Sequence, residues 1–234
     1  MAGGRTRRIV SVDRGVADRG QCKLCLAGGC VGAGRNKHKE FVHCPSCGLV
    51  FVPHEYWISL EDERARYDQH DNTEANQGYV RFLTEVADVV GTICHRGARV
   101  LDFGCGENAV LTRLLRGRGF DCVAYDPIYS LGEAALAARY DVIVVCEVIE
   151  HLRDLRKEII SLGKCLSRGG CTLIRTQAYP QVAEVPSWWY ARDATHINFF
   201  APQTLAFAAG LCGSRCERTA HPDITVWRND SVLS

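Results

Sequence analysis

Four cysteines, Cys22, Cys25, Cys44 and Cys47, stand in two Cys-x-x-Cys pairs separated by eighteen residues. A two-residue gap lets one tight turn present both sulfurs of a pair to the same ion, and Zn²⁺ takes four such soft thiolates tetrahedrally. Gly48, directly after the second pair, supplies the backbone freedom that such a knuckle requires. With all four positions filled by protein the zinc expected here is structural, and a segment this small and polar depends on it to fold. Cys30, His38 and His43 lie near enough in sequence to compete as ligands.

The second stretch with chemistry is 100–109, Val-Leu-Asp-Phe-Gly-Cys-Gly-Glu-Asn-Ala. Apolar residues run into two alternate glycines, Gly104 and Gly106, which let a ligand approach the backbone, and Asp126 lies twenty residues beyond Gly106. This spacing satisfies a dinucleotide fingerprint, so an NAD enzyme is one reading. The acids argue against it: a pyrophosphate wants the positive end of a helix without competing anions, and Asp102 and Glu107 crowd this turn. S-adenosylmethionine has the reverse requirement. Its ammonium and sulfonium are cationic, while backbone N–H groups can still hold its carboxylate. Asn108 suits the turn because Asn tolerates left-handed backbone. The cofactor expected is therefore S-adenosylmethionine, with Asp126 on its ribose.

A third stretch, residues 188–200, gathers Trp188, Trp189, Tyr190, Phe199 and Phe200 around Arg192, Asp193 and His196. It is too long for a simple turn and is a candidate lid over a substrate. Methyl transfer is an in-line displacement in which the protein mainly aligns the partners, with a base needed for a hydroxyl, amine or carbon acid. His196 is the first candidate base and His151 the second; bracing of the segment is the alternative role for His196.

These groups need a frame. Helical spacing of apolar residues predicts a helix over Tyr79–Cys94. From residue 98 the pattern alternates: strand Arg99–Phe103, helix Ala109–Arg116, strand Phe120–Tyr125, short helix Ala134–Arg139, strand Tyr140–Cys146, helix Leu152–Leu166, a turn at Gly169-Gly170 and strand Cys171–Thr176. Helix Gln203–Ala209 and the strands Arg215–Ala220 and Ile224–Trp227 close the chain. In front, Leu49–Val52 reads as a strand ended by Pro53. The expected division is a flexible basic N-terminus (1–19), a zinc-ribbon-like module (20–53), a linker (54–78) and a catalytic domain (79–234). Doubly wound parallel sheets place their ligands at the carboxyl ends of the strands.

The chain has 234 residues, 47% hydrophobic and 24% charged, which is ordinary for a soluble globular protein. No apolar run reaches the ~20 residues that span a bilayer, and no signal peptide is read, so a cytoplasmic protein with no membrane partner is expected. Thirteen cysteines, an odd number with several inside apolar runs, suit free buried thiols better than a disulfide framework. Residues 1–50 hold nine Lys/Arg against three Asp/Glu, a basic front that could touch phosphates.

Asp102-Phe103-Gly104-Cys105-Gly106 resembles motif I of the class I S-adenosylmethionine-dependent methyltransferases, and Tyr125-Asp126-Pro127 the acidic end of their second strand. The resemblance runs in order over residues 79–212. It implies an α/β fold with a doubly wound, mostly parallel Rossmann-like sheet and an antiparallel closing strand, preceded here by a small zinc ribbon. It also implies cofactor binding by Asp102, Gly104, Cys105, Gly106, Asn108, Asp126 and Glu147. Cys146-Glu147-Val148-Ile149-Glu150-His151-Leu152 is similar to the motif after strand four in the ubiquinone-biosynthesis O-methyltransferase group. There the corresponding run binds a divalent cation, which maps onto Glu147, Glu150 and His151; a helix N-cap is the other role for these carboxylates. The front end resembles the zinc-ribbon lead-in of bacterial methyltransferases that modify sugars or cell-surface metabolites. Two departures stand out. Asn108 replaces the family's usual last glycine, and only 14 residues separate Asp126 from Asp141, too few for a third strand between two helices. The expected activity is methyl transfer to a small metabolite or sugar-type acceptor. An RNA methyltransferase gripping RNA with the basic zinc module is the alternative, and a non-catalytic scaffold the third reading.

Overall fold

The computed structural model describes residues 20–229, so the basic stretch 1–19 lies outside the described residues. The front of the chain forms three short strands, β1 (Val31–Arg35), β2 (Glu40–His43) and β3 (Val50–Phe51), paired antiparallel in that order. Strands of two to five residues bury little by themselves. The four cysteines and Leu24, Leu49 and Phe51 fill the space between this hairpin and the rest of the chain.

Residues 54–78, expected as a linker, carry a helix of their own. In α1 (Leu60–Tyr67) the Ser59 hydroxyl accepts from the Asp62 N–H, and Glu61, Asp62 and Glu63 sit in the first turn, where the helix dipole favours acids. Then α2 (Gln77–Ile93) starts at Asn76, whose side chain accepts from the Gly78 and Tyr79 N–H groups. Its face Leu83, Val86, Ala87 and Val90 is buried against the main sheet, as the helical spacing requires.

The main sheet begins with β4 (Arg99–Phe103). Next come α3 (Val110–Gly117), β5 (Asp121–Tyr125), β6 (Tyr140–Cys146), α4 (Leu155–Lys164) and β7 (Leu166–Arg175). A two-residue strand, β8 (Asn198–Phe199), precedes α5 (Pro202–Leu211), β9 (Ser214–Arg218) and β10 (Ile224–Asn229). Six strands lie in the order β5-β4-β6-β7-β10-β9, with β5, β4, β6 and β7 parallel and β10 antiparallel to both its neighbours. Val142, Ile143, Val144 and Val145 in β6 are wholly buried, as befits a central strand covered on both faces.

Several boundaries move from expectation. The helix expected from Leu152 starts at Leu155, because residues 149–151 form a 3-10 turn first. Gly169-Gly170 is a bulge inside β7, with Gly169 at φ +73°, and not a turn before it. The short helix expected at 134–139 is a 3-10 turn, Glu133–Ala137, and no third strand follows β5, which is the sheet's edge. All thirteen cysteines are free thiols, and among the described residues no helix is long and apolar enough to cross a membrane.

The largest departure concerns residues 188–200. They end in β8, which pairs antiparallel with β3 (Val50 opposite Phe199, Phe51 opposite Asn198), so the front hairpin grows into a four-stranded sheet β1-β2-β3-β8. The front module and the segment expected to be a lid share one hydrophobic cluster built on Phe41, Val50, Tyr190, Ile197 and Phe199. Hydrogen-bond registration of a distant β-strand leaves no local mark in the sequence.

Candidate functional site

A cavity of about 780 Å³ opens at the carboxyl ends of β4, β5 and β6, roofed by α1 and by the 189–196 segment. Its cofactor side is built from the glycine turn. Gly104 has φ +79°, and a Cβ there would lie 2.4 Å from Val148, so only glycine fits. Gly106 also has positive φ, but a Cβ there would meet nothing within 4 Å: its face is open to a ligand. Asp126 lines the cavity while its carboxylate accepts from the N–H of Gly106 (2.9 Å), Ile128 (2.9 Å) and Tyr129 (3.3 Å). It therefore shapes the turn as well as facing the cavity.

Two expected cofactor residues are off the cavity wall. Asp102 is buried and accepts a 2.7 Å hydrogen bond from the Thr112 hydroxyl, and burial pushes its carboxyl up to about 6. Cys105 is likewise buried, its thiol turned to the Gly106 carbonyl. The left-handed residue is Ala109 (φ 44°), the N-cap of α3, and not Asn108. Asn108 instead lines the mouth and donates to the Asn72 carbonyl across it (3.2 Å). Glu147 does face the cavity and holds left-handed backbone at φ 52°, a strained state for a side chain with a Cβ. Such strain persists where the surrounding structure over-determines it, here at the end of β6 beside the cofactor turn.

The opposite wall of the cavity gathers around two histidines. His151 Nδ1 donates to the Thr195 carbonyl (3.1 Å) and His196 Nδ1 to the Tyr190 carbonyl (2.8 Å), since a carbonyl can only accept. Both rings thus keep Nε2 as the lone-pair nitrogen, with ring centroids 4.7 Å apart. Burial pushes His151 down to about 4 and His196 to about 3, the latter helped by its neighbour His151, so both are neutral bases near pH 7. Tyr67 packs edge-on against His151 and donates to Glu63 (2.9 Å), which also pairs with Arg153 (2.8 Å). Trp189 lines the mouth and is 59% exposed.

Beneath the histidines lies a carboxyl pair. The Tyr190 hydroxyl lies 2.6 Å from Glu150 Oε1 and 3.1 Å from Glu147 Oε2. One hydroxyl proton is thus shared by two buried carboxyl groups, an arrangement that disfavours charge on both. Accordingly burial raises Glu147 to about 7, and burial with the Glu147 charge raises Glu150 to about 8. Glu150, His151 and His196 each bring one donor atom within 4.8 Å of the others, a set that fits a divalent cation. Glu147 is tied to Tyr190 and stands outside that set.

The pair gives a prediction of stability against pH. The folded pKa of Glu150 lies above its unfolded value near 4.5, so its contribution is full below pH ~4.5 and is lost as pH rises toward 8. Glu150→Gln keeps the shape without the charge, so its thermal stability relative to wild type should increase between pH 5 and 8. At ~1.4 kcal/mol per unit of pKa the gain over that range should be on the order of a few kcal/mol. With Mn²⁺ or Mg²⁺ added and bound, the sign should reverse, because the variant loses a ligand. Calorimetric scans over that range check both.

At the front, Cys22 and Cys47 Sγ are 3.7 Å apart and Cys25 and Cys44 Sγ 3.5 Å, with all four sulfurs within 4.8 Å of one another. Zn–S bonds of ~2.3 Å in a tetrahedron put sulfurs about 3.8 Å apart, so the four cysteines fit zinc. Cys30, His38 and His43 are not part of the cluster.

The sequence concealed Tyr67, Tyr190 and Thr176, whose hydroxyl donates to the Glu150 carboxyl (3.1 Å). Tyr190 was visible as one aromatic among five, and Glu63-Tyr67 as an i, i+4 pair, but nothing local ties either to His151 or Glu150.

A glycine turn open to a ligand, an acid at the end of the second strand and a parallel sheet of this order define an S-adenosylmethionine-dependent methyltransferase of class I. The family described as methyltransferase domain matches residues 67–211, more than half of the chain, and the chain belongs to it. Solved structures share the fold. An O-methyltransferase family protein from Burkholderia thailandensis superposes with a TM-score of 0.53 at 16% identity, over 71% of this chain and 61% of that one. This chain thus spans less than two thirds of that protein. The 1,6-didemethyltoxoflavin-N1-methyltransferase of the same organism, with 1,6-didemethyltoxoflavin and S-adenosylhomocysteine bound, gives 0.52 at 13% identity over 80% and 97%. The N-methyltransferase NodS from Bradyrhizobium japonicum WM9, in complex with S-adenosylhomocysteine, gives 0.51 at 15% identity over 74% and 100%. None of the curated proteins matches the chain.

Proposed function

We propose that the chain methylates a hydroxyl or amine of a small metabolite or sugar-type acceptor, with His196 as the first candidate base and His151 as the second. The observation that carries this reading is the pair of neutral imidazoles, each with Nδ1 committed to a carbonyl and Nε2 left to accept a proton, in the same cavity as the glycine turn. A volume of about 780 Å³ lies in the upper part of the ~300–1,000 Å³ range of ligand pockets, room for the cofactor and one small acceptor.

S-adenosylmethionine, when bound, supplies a methyl carbon already activated by its sulfonium. Gly106 and Asp126 hold its methionine and ribose ends in this reading, Glu147 faces its cation, and Tyr67, Tyr190 and Trp189 wall the acceptor from water. A histidine Nε2 takes the acceptor's proton as the new bond forms. Zinc on Cys22, Cys25, Cys44 and Cys47 is structural.

The RNA alternative draws little from the front module. Of its lysines, Lys23 donates to the Leu152 carbonyl over the Trp57 ring and Lys39 is buried, which leaves Lys37 and Arg35 as the exposed cations of the described front module.

The cofactor half is tested by calorimetry. Asp126→Ala should weaken S-adenosylmethionine binding by ~1–3 kcal/mol, the loss expected when hydrogen bonds to a charged group vanish and the Gly106 N–H loses its acceptor. Tight NADH binding with none of S-adenosylmethionine would overturn the assignment.

A further inference from the structure

Lys39 is 4% exposed and forms no ion pair among the described residues, the Asp193 carboxylate being the charge that acts on it. Its ammonium donates to two backbone carbonyls far along the chain, Asp193 (2.6 Å) and His196 (2.7 Å), and lies 5.6 Å from the centre of the Phe199 ring and 5.9 Å from that of Phe41. It reaches them from the turn between β1 and β2, where the Asn36 side chain accepts from the His38 and Lys39 N–H groups and fixes the turn's shape. Burying an ammonium is costly, and its removal would leave the Asp193 and His196 carbonyls without this donor. Burial by itself does not explain this lysine.

What it grips does. Residues 193–196 form one tight turn, in which the Asp193 carboxylate accepts from the Thr195 N–H (2.9 Å) and hydroxyl (2.7 Å), and the His196 N–H reaches the Asp193 carbonyl. This turn presents His196, and its Thr195 carbonyl is the acceptor that orients His151. Beyond it, Ile197 is clasped on both sides: the Val52 N–H donates to its carbonyl and its own N–H to the Glu150 carbonyl.

We propose that Lys39 is a positioning residue of the methyltransferase, its buried ammonium setting the 193–196 turn and through it the orientation of both acceptor-side histidines. The proposal rests on reading His151 and His196 as acceptor-side groups. It makes the front module an organ of the active site, joined to it by one cation and by the β3–β8 pairing.

The experiment uses the full chain with its zinc and needs no acceptor. Lys39→Met and Lys39→Arg are compared with wild type for S-adenosylmethionine affinity, for the low-field NMR signals of the hydrogen-bonded Nδ1 protons of His151 and His196, and for the rate at which diethyl pyrocarbonate modifies these histidines. Lys39→Met should keep its zinc and bind the cofactor within about twofold of wild type, since the glycine turn is untouched. Its two imidazole signals should shift or vanish, and modification should quicken about tenfold or more, as expected when hydrogen bonds to a charged group are lost. Lys39→Arg, with charge and donors kept, should restore both readouts at least in part. A folded Lys39→Met with both signals and the protection unchanged overturns the proposal. Should Lys39→Met fail to fold, Lys39→Gln takes its place, and wild-type signals in that variant overturn the proposal equally. If His196→Ala and His151→Ala prove fully active on an acceptor while Lys39→Met still displaces the rings, the positioning stands and the base assignment falls.

Discussion

Cys44→Ser should release the zinc and cost the protein both its front sheet and its turnover. The paired sulfurs, 3.5 and 3.7 Å apart, have the spacing of a tetrahedral site. Structural zinc contributes ~10–16 kcal/mol to the folding of modules of this kind. The module has little sheet of its own to hold it without the metal, because β2 and β3 are four and two residues long. The loss should not stop at the front. β3 is the partner of β8, Lys39 holds the turn carrying His196, and the Tyr179 hydroxyl donates to the Gly48 carbonyl (2.6 Å). The face of the parallel sheet built on Val100, Val142 and Leu173 is a separate cluster and should persist, while the opposite face, with Leu101, Ile143 and Ile159, packs in one cluster with the cysteines and should loosen. The expected result is one zinc per wild-type chain by elemental analysis. The variant should hold less than about half an equivalent and lose near-ultraviolet tryptophan signal, with far-ultraviolet helix retained. Wild-type protein purified without chelator that carries no zinc yet melts cooperatively as a whole would remove the metal from this account.

His196→Ala should lower turnover by at least ~10² while leaving S-adenosylmethionine affinity within about twofold, because a general base typically contributes ~10²–10⁴ and this ring lies on the acceptor side. Its Nδ1 proton is spent on the Tyr190 carbonyl, so Nε2 is the working nitrogen. Burial holds the imidazole at about 3, below its ordinary value, so the basic form prevails at every pH above that and no acid limb from His196 should appear between pH 5 and 8. Single-turnover kinetics with calorimetry on the same preparations separate the cases. An equal loss of turnover and cofactor affinity would show that the segment lines the cofactor pocket. No loss in either would shift the role to His151, whose ring lies 4.7 Å away and shares the arrangement.

The sequence by itself determined the parallel sheet, the glycine turn and the four-cysteine cluster, because each is local. The buried run of β6 needs only its own apolar residues, and Gly104 and Gly106 need only the backbone angles of one loop. Cys-x-x-Cys pairs announce by spacing alone that their sulfurs will gather, and the four do lie within 4.8 Å of one another. Local spacing also showed that the 14 residues between Asp126 and Asp141 could not hold a third strand between two helices. Direction of side chains was a different matter. Asp102 reads as a charge at the cofactor turn, yet in a strand successive side chains point to opposite faces, and its carboxylate turns to Thr112. Asn108 reads as the left-handed residue, but the chain turns one residue later, at Ala109. The acceptor side was decided by tertiary structure alone. Lys39 and His196 are 157 residues apart, Glu150 and Tyr190 forty, and neither pair carries a local pattern. What joins them is packing: β3 finds β8, Phe41 finds Phe199, and the cost of burying Lys39 and Glu150 is met by partners that only the folded chain brings within reach.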